Sequence, residues 1–358
     1  MTFFTKVNNI RRQVMHLLTS NIGHSHRLQA FELIDTGNIK RILVCRPNHR
    51  LGNLLLITPL LQELIATFPD CKIDLFVKGT IAPELFCNYD NIDTIIQLPR
   101  KPFKELLQYC NGWLKLRTHH YDLVVNVDRH SSSGRLSTKF SRGTYKLFGD
   151  STAGIASRYA DYKHFAKSPV YDLRYSLSQL GFGRYEGNIP PLSLKLSPSE
   201  INSGKKILTQ LAGDKDTICL FTYGTGDKCY SESWWHHFYH RLKNEYPDHQ
   251  IVEVLPLENI SKIDFKAPAF YSKSVREIGS VIANAKMFIG ADSGIMHLAS
   301  AVQTPTIGLF SVTNAEKYMP YSNDSVAINT NNSSTDNCMH AINHIIRRGY
   351  FSKPRQTA

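Results

Sequence analysis

The chain has 358 residues, of which 42% are hydrophobic and 20% are charged, and its formal net charge is +12 at pH 7. This length and composition predict roughly two folded domains and argue against intrinsic disorder. The ends hold most of the positive charge: residues 1–50 contain eight Lys or Arg against two acids, and residues 341–358 contain four against none. Nucleic-acid enzymes more often spread basic charge along a groove, so we expect no nucleic-acid partner. The basic ends either contact an anionic membrane face or are solvated termini.

Cysteine usage and hydropathy bear on the compartment. The seven cysteines form no CxxC pair, which is typical of reduced thiols in a cytosolic protein. The first residues lack the apolar stretch and cleavage site of a signal peptide. No window approaches the roughly 18 uninterrupted apolar residues of a membrane-spanning helix. We therefore expect a cytoplasmic protein, either free or peripheral on a membrane.

Residues 1–39 are predicted to form a basic, helical N-terminal extension, because apolar side chains recur at helical spacing over residues 3–17. This extension either lies in a membrane interface or packs on the body of the protein. From residue 40 onward, apolar runs typical of strands alternate with helical stretches, which predicts parallel sheets covered on both faces. The first series has predicted strands at 41–45, 72–77, 94–98 and 121–127, and helices at 53–68, after Pro83 and at 103–116. The polar, serine-rich region after Asp128 is predicted as loop plus helix.

Residues 188–200 contain three prolines and are predicted as a linker. The pattern then restarts, with predicted strands at 217–222, 250–255, 286–289 and 306–310, and helices at 233–246, 275–285, 294–301 and 338–348. We therefore predict one α/β domain at 40–190, a second at 191–335, and a C-terminal helix with a basic tail at 336–358. Two such domains would face each other across a cleft, where ligands of α/β sheets bind at the carboxyl ends of the strands.

The strongest motif is Asp292-Ser293-Gly294, between a predicted strand and a predicted helix. A helix start presents free N–H groups and the positive end of a dipole, and Ser293 and Gly294 let that backbone approach a phosphate closely. Asp292 would repel a diphosphate, so we expect it to cap the helix or to hold a sugar hydroxyl. His297, one turn into the helix, would reach the same ligand. The alternative is a plain helix cap.

Two further strand ends carry polar groups. The loop Tyr223-Gly-Thr-Gly-Asp-Lys228 supplies Gly224, Thr225 and Lys228, which suit a phosphate group, although the loop lacks P-loop spacing and a simple turn is the alternative. The first strand ends in a corner whose predicted acceptor-binding residues are Arg46, His49, Arg50 and Gly52. Its arginines would meet anionic groups of an acceptor, since guanidinium forks bind such groups well, unless the corner is only a basic surface loop.

The chain resembles the ADP-heptose:lipopolysaccharide heptosyltransferases of glycosyltransferase family 9. The segments that carry the resemblance are RILVCRP at 41–47, LGNLLLITPL at 51–60, DSGIMHLASA at 292–301 and PTIGLF at 305–310. The resemblance implies an α/β fold of the GT-B type, with two Rossmann-like parallel-sheet domains facing a central cleft. The first would be the acceptor side and the second would hold the nucleotide-sugar donor.

The same resemblance implies inverting transfer of heptose, or a similar sugar, from a nucleotide-sugar to a lipopolysaccharide-core or related surface-glycan acceptor. The donor is usually ADP-linked. Lys228, Ser293 and Gly294 would contact the donor phosphates, Asp292 and His297 would lie near the sugar, and Glu258 is a looser match to an acid that binds the ribose. A lipid-linked acceptor would place the protein in peripheral contact with the cytoplasmic face of the inner membrane.

The family usually has Asp as its proposed general base where this chain has Asn53. An amide cannot accept a proton at neutral pH, and a base typically contributes about 10²–10⁴-fold to the rate. Three hypotheses follow. Asp128 or His130 serves as the base, with His49 next; or Asn53 only orients the acceptor; or the chain is a non-catalytic relative that binds nucleotide-sugars.

We expect no metal or other cofactor, because Lys228 and a helix start can neutralise the leaving diphosphate. The Asp214-Lys215-Asp216 motif precedes a predicted strand, which places it at the edge of the sheet opposite the ligand. The adjacent pairs at 119–120 and 236–237 are histidines without zinc-ligand spacing. A dinucleotide oxidoreductase also matches the α/β rhythm, but no GxGxxG follows the first strand.

Overall fold

The computed structural model describes residues 22–25, 39–150, 153–181 and 186–351. The chain divides into two compact units, Met1–Pro190 and Pro191–Ala358, and each contains one parallel sheet with interleaved helices. The predicted helix near the N-terminus and the predicted basic tail at 352–358 lie outside the described residues.

The first unit has a five-stranded sheet in the order β3-β2-β1-β4-β5, with every pair parallel. Its strands are β1 Arg41–Arg46, β2 Lys72–Lys78, β3 Ile92–Leu98, β4 His120–Asn126 and β5 Arg142–Leu147. Its helices are α1 Leu51–Leu55, α2 Thr58–Thr67, α3 Ala82–Phe86, α4 Leu106–Lys115, α5 Ser132–Phe140, α6 Ala153–Arg158 and α7 Ser168–Gln179. The apolar runs become fully buried strand interiors, as at Leu43 and Val124, so burial of these side chains holds the sheet under its helices.

Two helix predictions in this unit were wrong in detail. The predicted helix at 53–68 is two helices, because Pro59 has no N–H to donate to the carbonyl of Leu55, and the Thr58 hydroxyl donates to that carbonyl instead, at 2.7 Å. The predicted helix at 103–116 begins as a separate 3₁₀ turn, Pro102–Lys104, before α4.

The second unit has a six-stranded parallel sheet in the order β11-β10-β9-β6-β7-β8. Its strands are β6 Thr217–Phe221, β7 Gln250–Val254, β8 Ala269–Phe270, β9 Met287–Ala291, β10 Thr306–Phe310 and β11 Val326–Asn329. Its helices are α8 Pro198–Ala212, α9 Glu232–Glu245, α10 Val275–Ala283, α11 Gly294–Ala301, α12 Ala315–Tyr318 and α13 Thr335–Phe351. The core centres on buried residues such as Trp235, Ile289 and Ile342.

The predicted linker at 188–200 ends earlier than expected. Its last residues begin α8, where the Ser197 side chain accepts from the backbone N–H of Glu200 and the Glu200 side chain accepts in return from the N–H of Ser197. This is a capping box with proline at the first helical position, so the sequence S-P-S-E starts a helix. Across the described ranges, no helix has both the length and the apolarity needed to cross a bilayer.

Candidate functional site

In the second unit, the loops after β6 and β9 lie side by side because these strands are neighbours in the sheet. Phe221 at the end of β6 pairs with Gly290 near the end of β9, so the loops that follow these two strands both begin at the carboxyl edge of the sheet. This edge is where ligands of parallel α/β sheets bind. The 3₁₀ turn Gly226–Lys228 follows β6, and α11 follows β9.

Lys228 and Asp292 form an ion pair at this edge. The Lys228 Nζ donates to Asp292 Oδ2 at 2.5 Å. The Asp292 side chain is only 6% exposed, whereas that of Lys228 is 34% exposed. The buried carboxylate therefore orients the ammonium group, and the exposed ammonium keeps N–H donors for a ligand.

The first turn of α11 forms the other wall of this site. The Ser293 side chain accepts from the Met296 N–H at 3.2 Å and is the helix cap, so the predicted alternative that Asp292 caps the helix is wrong. Asp292 instead holds Lys228. At the start of an α-helix the first backbone N–H groups, here those of Gly294 and Ile295, have no acceptor within the helix. The site thus combines a cation with a helix start, which together favour an anionic group.

His297 and Tyr318 complete the surroundings of Lys228. The His297 ring is buried, at 4% exposure, and its centroid lies 6.3 Å from that of Tyr318 at the end of α12. The Lys228 Nζ lies 5.9 Å from the centroid of the Tyr318 ring. Tyr318 therefore touches both predicted site residues, although nothing in its local sequence indicated a role in the site.

Gly224 allows the turn that presents Lys228. A Cβ atom at Gly224 would lie 2.7 Å from the backbone oxygen of Lys228, which is too close for any larger residue without movement of the backbone. Thr225 is exposed and stands at the start of the 3₁₀ turn. In this predicted phosphate loop, Gly224 thus permits the tight turn and Thr225 immediately precedes it.

Glu258 lies exposed in the loop after β7, the strand next to β6. A buried network that the sequence did not reveal anchors this loop. The Glu253 carboxylate accepts from the hydroxyls of Thr222 and Ser261, both at 2.6 Å, and the Thr222 hydroxyl accepts from the Lys262 N–H at 3.2 Å. Burial raises the pKa of Glu253 above its ordinary value. The network fixes both ends of the segment that carries Glu258.

In the first unit, Arg46 at the end of β1 pairs with Asp128 after β4. The Arg46 Nη1 donates to Asp128 Oδ2 at 2.7 Å, and the His130 backbone N–H donates to Asp128 Oδ1 at 3.0 Å. Both oxygens of Asp128 are therefore already engaged as acceptors. His130 is exposed, and its Nε2 accepts from the Arg129 Nε–H at 2.9 Å. These contacts make both predicted base candidates less available for a substrate proton.

His49 lies in the loop after β1, half-buried among cations. Burial lowers the pKa of His49 below its ordinary value, and the charges of Arg100, Lys78 and Arg50 lower it further. The backbone of Gly79, at φ +81°, approaches the His49 side chain so closely that a Cβ there would lie 3.0 Å from the His49 Cβ. The imidazole is therefore mainly neutral at neutral pH, and a neutral imidazole can accept a proton.

Asn53 lies half-buried on α1, four residues after His49, with Gly52 buried beside it in the chain. The structure thus brings together Arg46, Asp128 and His130, and separately His49 with Arg50.

In the part of the chain that the structure describes, no group of three or more His, Cys, Asp or Glu is arranged to hold a metal ion. Asp216 lies before β6, with a carboxylate oxygen 3.9 Å from the Lys286 Nζ.

The chain is similar to known glycosyltransferases in sequence. The family model described as glycosyltransferase family 9 (heptosyltransferase) matches residues 273–345, which include the loop after β9 and the first turn of α11. Two curated relatives are both named lipopolysaccharide heptosyltransferase 3. The chain is 25% identical to the protein of Escherichia coli K12 over 75% of this chain and 82% of the relative. It is 23% identical to a second Escherichia coli protein over 77% of this chain and 85% of the relative.

Solved structures give the same fold. A glycosyltransferase of family 9 from Veillonella parvula has a TM-score of 0.68 at 16% identity and covers 88% of this chain and 100% of that chain. The heptosyltransferase WaaC of E. coli, solved with ADP, has a TM-score of 0.63 at 16% identity and covers 85% and 99%. With the two parallel sheets, these matches confirm the predicted α/β fold of the GT-B type.

Proposed function

We infer that this chain is a glycosyltransferase of family 9, and from that premise we propose the reaction that it performs. It moves heptose, or a similar sugar, from a nucleotide-sugar to a lipopolysaccharide-core or related surface-glycan acceptor. ADP-heptose is the proposed donor. The relatives are named for lipopolysaccharide heptosyl transfer, and structures similar in fold were solved with ADP and with an ADP-linked fluoroheptose.

The observation that carries the donor proposal is the Lys228–Asp292 pair beside the start of α11. A diphosphate placed at this edge would meet the Lys228 ammonium, the Ser293 hydroxyl and the backbone N–H groups at Gly294. These are charged or dipolar donors held before the ligand arrives, so little reorganisation is needed. Glu258 would accept from the ribose hydroxyls, and Asp292 and His297 would lie beside the sugar.

The proposed chemistry is a single inverting displacement without metal. The acceptor oxygen forms a bond to the anomeric carbon while the bond from that carbon to the diphosphate oxygen breaks. The diphosphate leaves with the bonding pair, and Lys228 with the α11 start stabilises its added negative charge. The acceptor hydroxyl loses its proton to a base during this step.

We assign that base to His49. Its imidazole is kept neutral by burial and by neighbouring cations, whereas both oxygens of Asp128 and the Nε2 of His130 already accept hydrogen bonds. Asn53 then has the orienting role, because an amide can donate to and accept from an acceptor hydroxyl without taking its proton. Arg50 and the cations around His49 favour an acceptor that carries phosphate or carboxylate groups.

The test is a thermal-shift screen with ADP-, UDP- and GDP-sugars, followed by a turnover assay with and without acceptor and EDTA. We expect binding of ADP-heptose, release of ADP only when acceptor is present, and full activity in EDTA. NMR of the product should show the anomeric configuration inverted. Binding of UDP- or GDP-sugars alone would refute the donor assignment, and activity lost in EDTA would refute the metal-free mechanism.

A second candidate function follows from Asn53: a protein that binds nucleotide-sugars without transferring the sugar. The family's usual carboxylate is missing at this position. Binding of ADP-heptose with no acceptor-dependent release of ADP would favour this candidate. Release of ADP that disappears in His49→Ala while donor binding persists would exclude it.

A further inference from the structure

Helix α4 in the first unit has two apolar faces, and only one of them is covered. Its inner face packs on the sheet: a Cβ at Gly112 would lie 2.7 Å from Leu98, and the Trp113 ring lies 5.5 Å from the ring of Phe76. A surface helix of this kind ordinarily turns charged residues outward. Here the outward positions are largely apolar instead.

The outer face and its surroundings form what we name the α4 patch. It consists of five exposed apolar side chains: Phe103, Leu106, Leu107, Leu114 and Phe140. Phe103 and Leu107 are 86% and 89% exposed. Within α4, Leu107, Cys110 and Leu114 follow each other at the spacing i, i+3, i+7 of one helix face. The patch continues into an apolar groove of about 480 Å³, lined by Tyr109, Cys110, Trp113, Leu114, Leu136 and Phe140.

Basic side chains surround the α4 patch. The segment from residue 100 to residue 117 holds five of them against the single acid Glu105, and they are Arg100, Lys101, Lys104, Lys115 and Arg117. Lys139 and Arg142, both exposed, flank Phe140, and the Arg117 guanidinium lies 5.3 Å from the centre of the Phe140 ring. An apolar surface with a rim of one charge sign is complementary to a surface of the opposite sign with an apolar interior.

We propose that the α4 patch docks the protein on an anionic lipid bilayer. The exposed apolar side chains enter the acyl boundary, and the basic rim meets lipid phosphates. A second copy of this chain is disfavoured, because a two-fold contact through the patch would bring the basic rims of both copies together. The N-terminal segment at 1–21 is itself basic without an acid, so it would meet the same repulsion.

The place of the patch in the fold agrees with this role. Phe103 follows β3 by a few residues, and β3 ends at the same carboxyl edge of the sheet as the loop of His49. Arg100 follows β3, and its charge lowers the pKa of His49. Docking through the patch therefore brings the proposed acceptor side to the membrane. Only this consequence rests on the proposed function.

The experiment is flotation of the full chain with vesicles of phosphatidylethanolamine and phosphatidylglycerol, compared with vesicles of phosphatidylcholine alone. We expect binding to the anionic vesicles that weakens as salt is raised. The double variant Phe103→Ser/Leu107→Ser should bind about tenfold or more weakly, since two large apolar side chains no longer enter the bilayer. The double variant Lys101→Glu/Lys104→Glu should lose about as much through charge.

Matched controls lie on α8 in the second unit. Ile201→Ser removes an exposed apolar side chain and Lys205→Glu/Lys206→Glu reverses two exposed charges, and both should leave vesicle binding unchanged. Circular dichroism and melting curves verify that the variants fold. Equal binding by the α4 variants and these controls would overturn the proposal. So would equal binding of the wild type to neutral vesicles, or light scattering that shows a dimer abolished by Phe103→Ser/Leu107→Ser.

Vesicle binding requires neither donor nor turnover, so it fails or succeeds independently of the proposed reaction. A protein that floats through the α4 patch without releasing ADP would refute only the proposed function. A protein that transfers sugar but does not float would refute only the docking. If both hold, Phe103→Ser/Leu107→Ser should keep its rate on a detergent-dispersed acceptor and lose about tenfold or more on a vesicle-embedded one.

Discussion

The two sheets place an equivalent ion pair at the same point of each unit. Reading from the first strand outward, β1 has β2 on one side and β4 on the other, and β6 has β7 and β9 in the corresponding places. In both sheets a cation at or just after the end of the first strand pairs with an aspartate that follows the fourth: Arg46 with Asp128, and Lys228 with Asp292. The fold thus repeats one charged arrangement at two carboxyl edges.

The two pairs differ in which partner water can reach. The Arg46 side chain is 9% exposed and that of Asp128 is 23% exposed, so the cation of the first unit is enclosed. In the second unit the carboxylate is enclosed and the cation is open, with 34% exposure for Lys228. An enclosed cation serves the fold, whereas an open one can also meet a ligand. We therefore propose that the second pair binds the donor and that the first supports the fold.

The largest effect on kcat should come from His49→Ala. This variant tests whether the carboxyl edge of the first sheet supplies the general base, given that its ion pair only supports the fold. Loss of a general base should lower kcat by about 10²–10⁴-fold with little change in donor affinity. Steady-state kinetics and isothermal titration with the donor measure the two quantities. Asp128→Asn and His130→Ala are the matched variants. A larger loss of kcat in either would move the base away from His49.

Lys228→Gln should follow in size and tests the second pair. The variant keeps an N–H donor toward Asp292 but removes the charge that faces the diphosphate, so kcat/KM for the donor should fall by about 10²-fold. The free energy of unfolding should also fall by about 2 kcal/mol, because the enclosed Asp292 carboxylate loses its cation and keeps only an amide donor. Lys243→Gln, an exposed lysine on α9, is the control for loss of a surface charge. Normal kinetics in Lys228→Gln would contradict the assignment of the open cation.

Arg46→Met should lower stability without lowering kcat/KM for the donor. It leaves the Asp128 carboxylate without its cation, and the partial exposure of Asp128 limits the penalty to about 2 kcal/mol of unfolding free energy. Donor affinity should remain unchanged. Urea denaturation and donor titration provide the two readouts. If Arg46→Met weakens donor binding more than Lys228→Gln does, the two edges have the reverse roles.

The sequence predicted the parts of this comparison that rest on local signals. Apolar strand runs and a serine before Gly294 were sufficient to place β10 and α11 with the observed bounds. The edge strand β5 was missed because its residues alternate in burial and lack a continuous apolar run. Tyr318 was missed because it reaches Lys228 only through the fold.

The pairing of charges was equally hidden from the sequence. Asp292 and Lys228 were both singled out, but their roles were predicted separately, since no local pattern reports that β6 and β9 are neighbours. The same limit applies to Asp128: its residue type suits a general base, but only the fold brings it into contact with Arg46. Sequence reasoning found the chemical groups, and only the strand order determined which groups neutralise each other.

Thr222→Val should have a smaller effect and tests how the second edge holds the loop of Glu258. The variant removes a hydroxyl that donates to the buried Glu253 and accepts from Lys262, at a cost of about 1–2 kcal/mol in unfolding free energy. Donor KM should rise a few-fold if Glu258 binds the ribose. Thr67→Val, whose hydroxyl donates only within α2, is the control and should leave KM unchanged. An unchanged donor KM in Thr222→Val would contradict the proposal that Glu258 binds the ribose.

The smallest expected effect is a shift in the pH dependence of kcat/KM. It tests whether His49 is the base at the carboxyl edge of the first sheet, where the Asp128 carboxylate already pairs with Arg46. The pKa of His49 is lowered, so the imidazole deprotonates below pH 6.5 and the acid limb of kcat/KM should lie there. By linkage, this group reduces stability only as pH falls below its unfolded value, where the folded protein resists protonation. Arg100→Gln removes one lowering charge and should move the acid limb to higher pH by less than about one unit. Lys115→Gln, at the far end of α4, should not move it. An acid limb that stays in place in Arg100→Gln would mean that the titrating base is not His49. The carboxyl edge of the first sheet would then contribute only a structural ion pair and the orienting amide of Asn53.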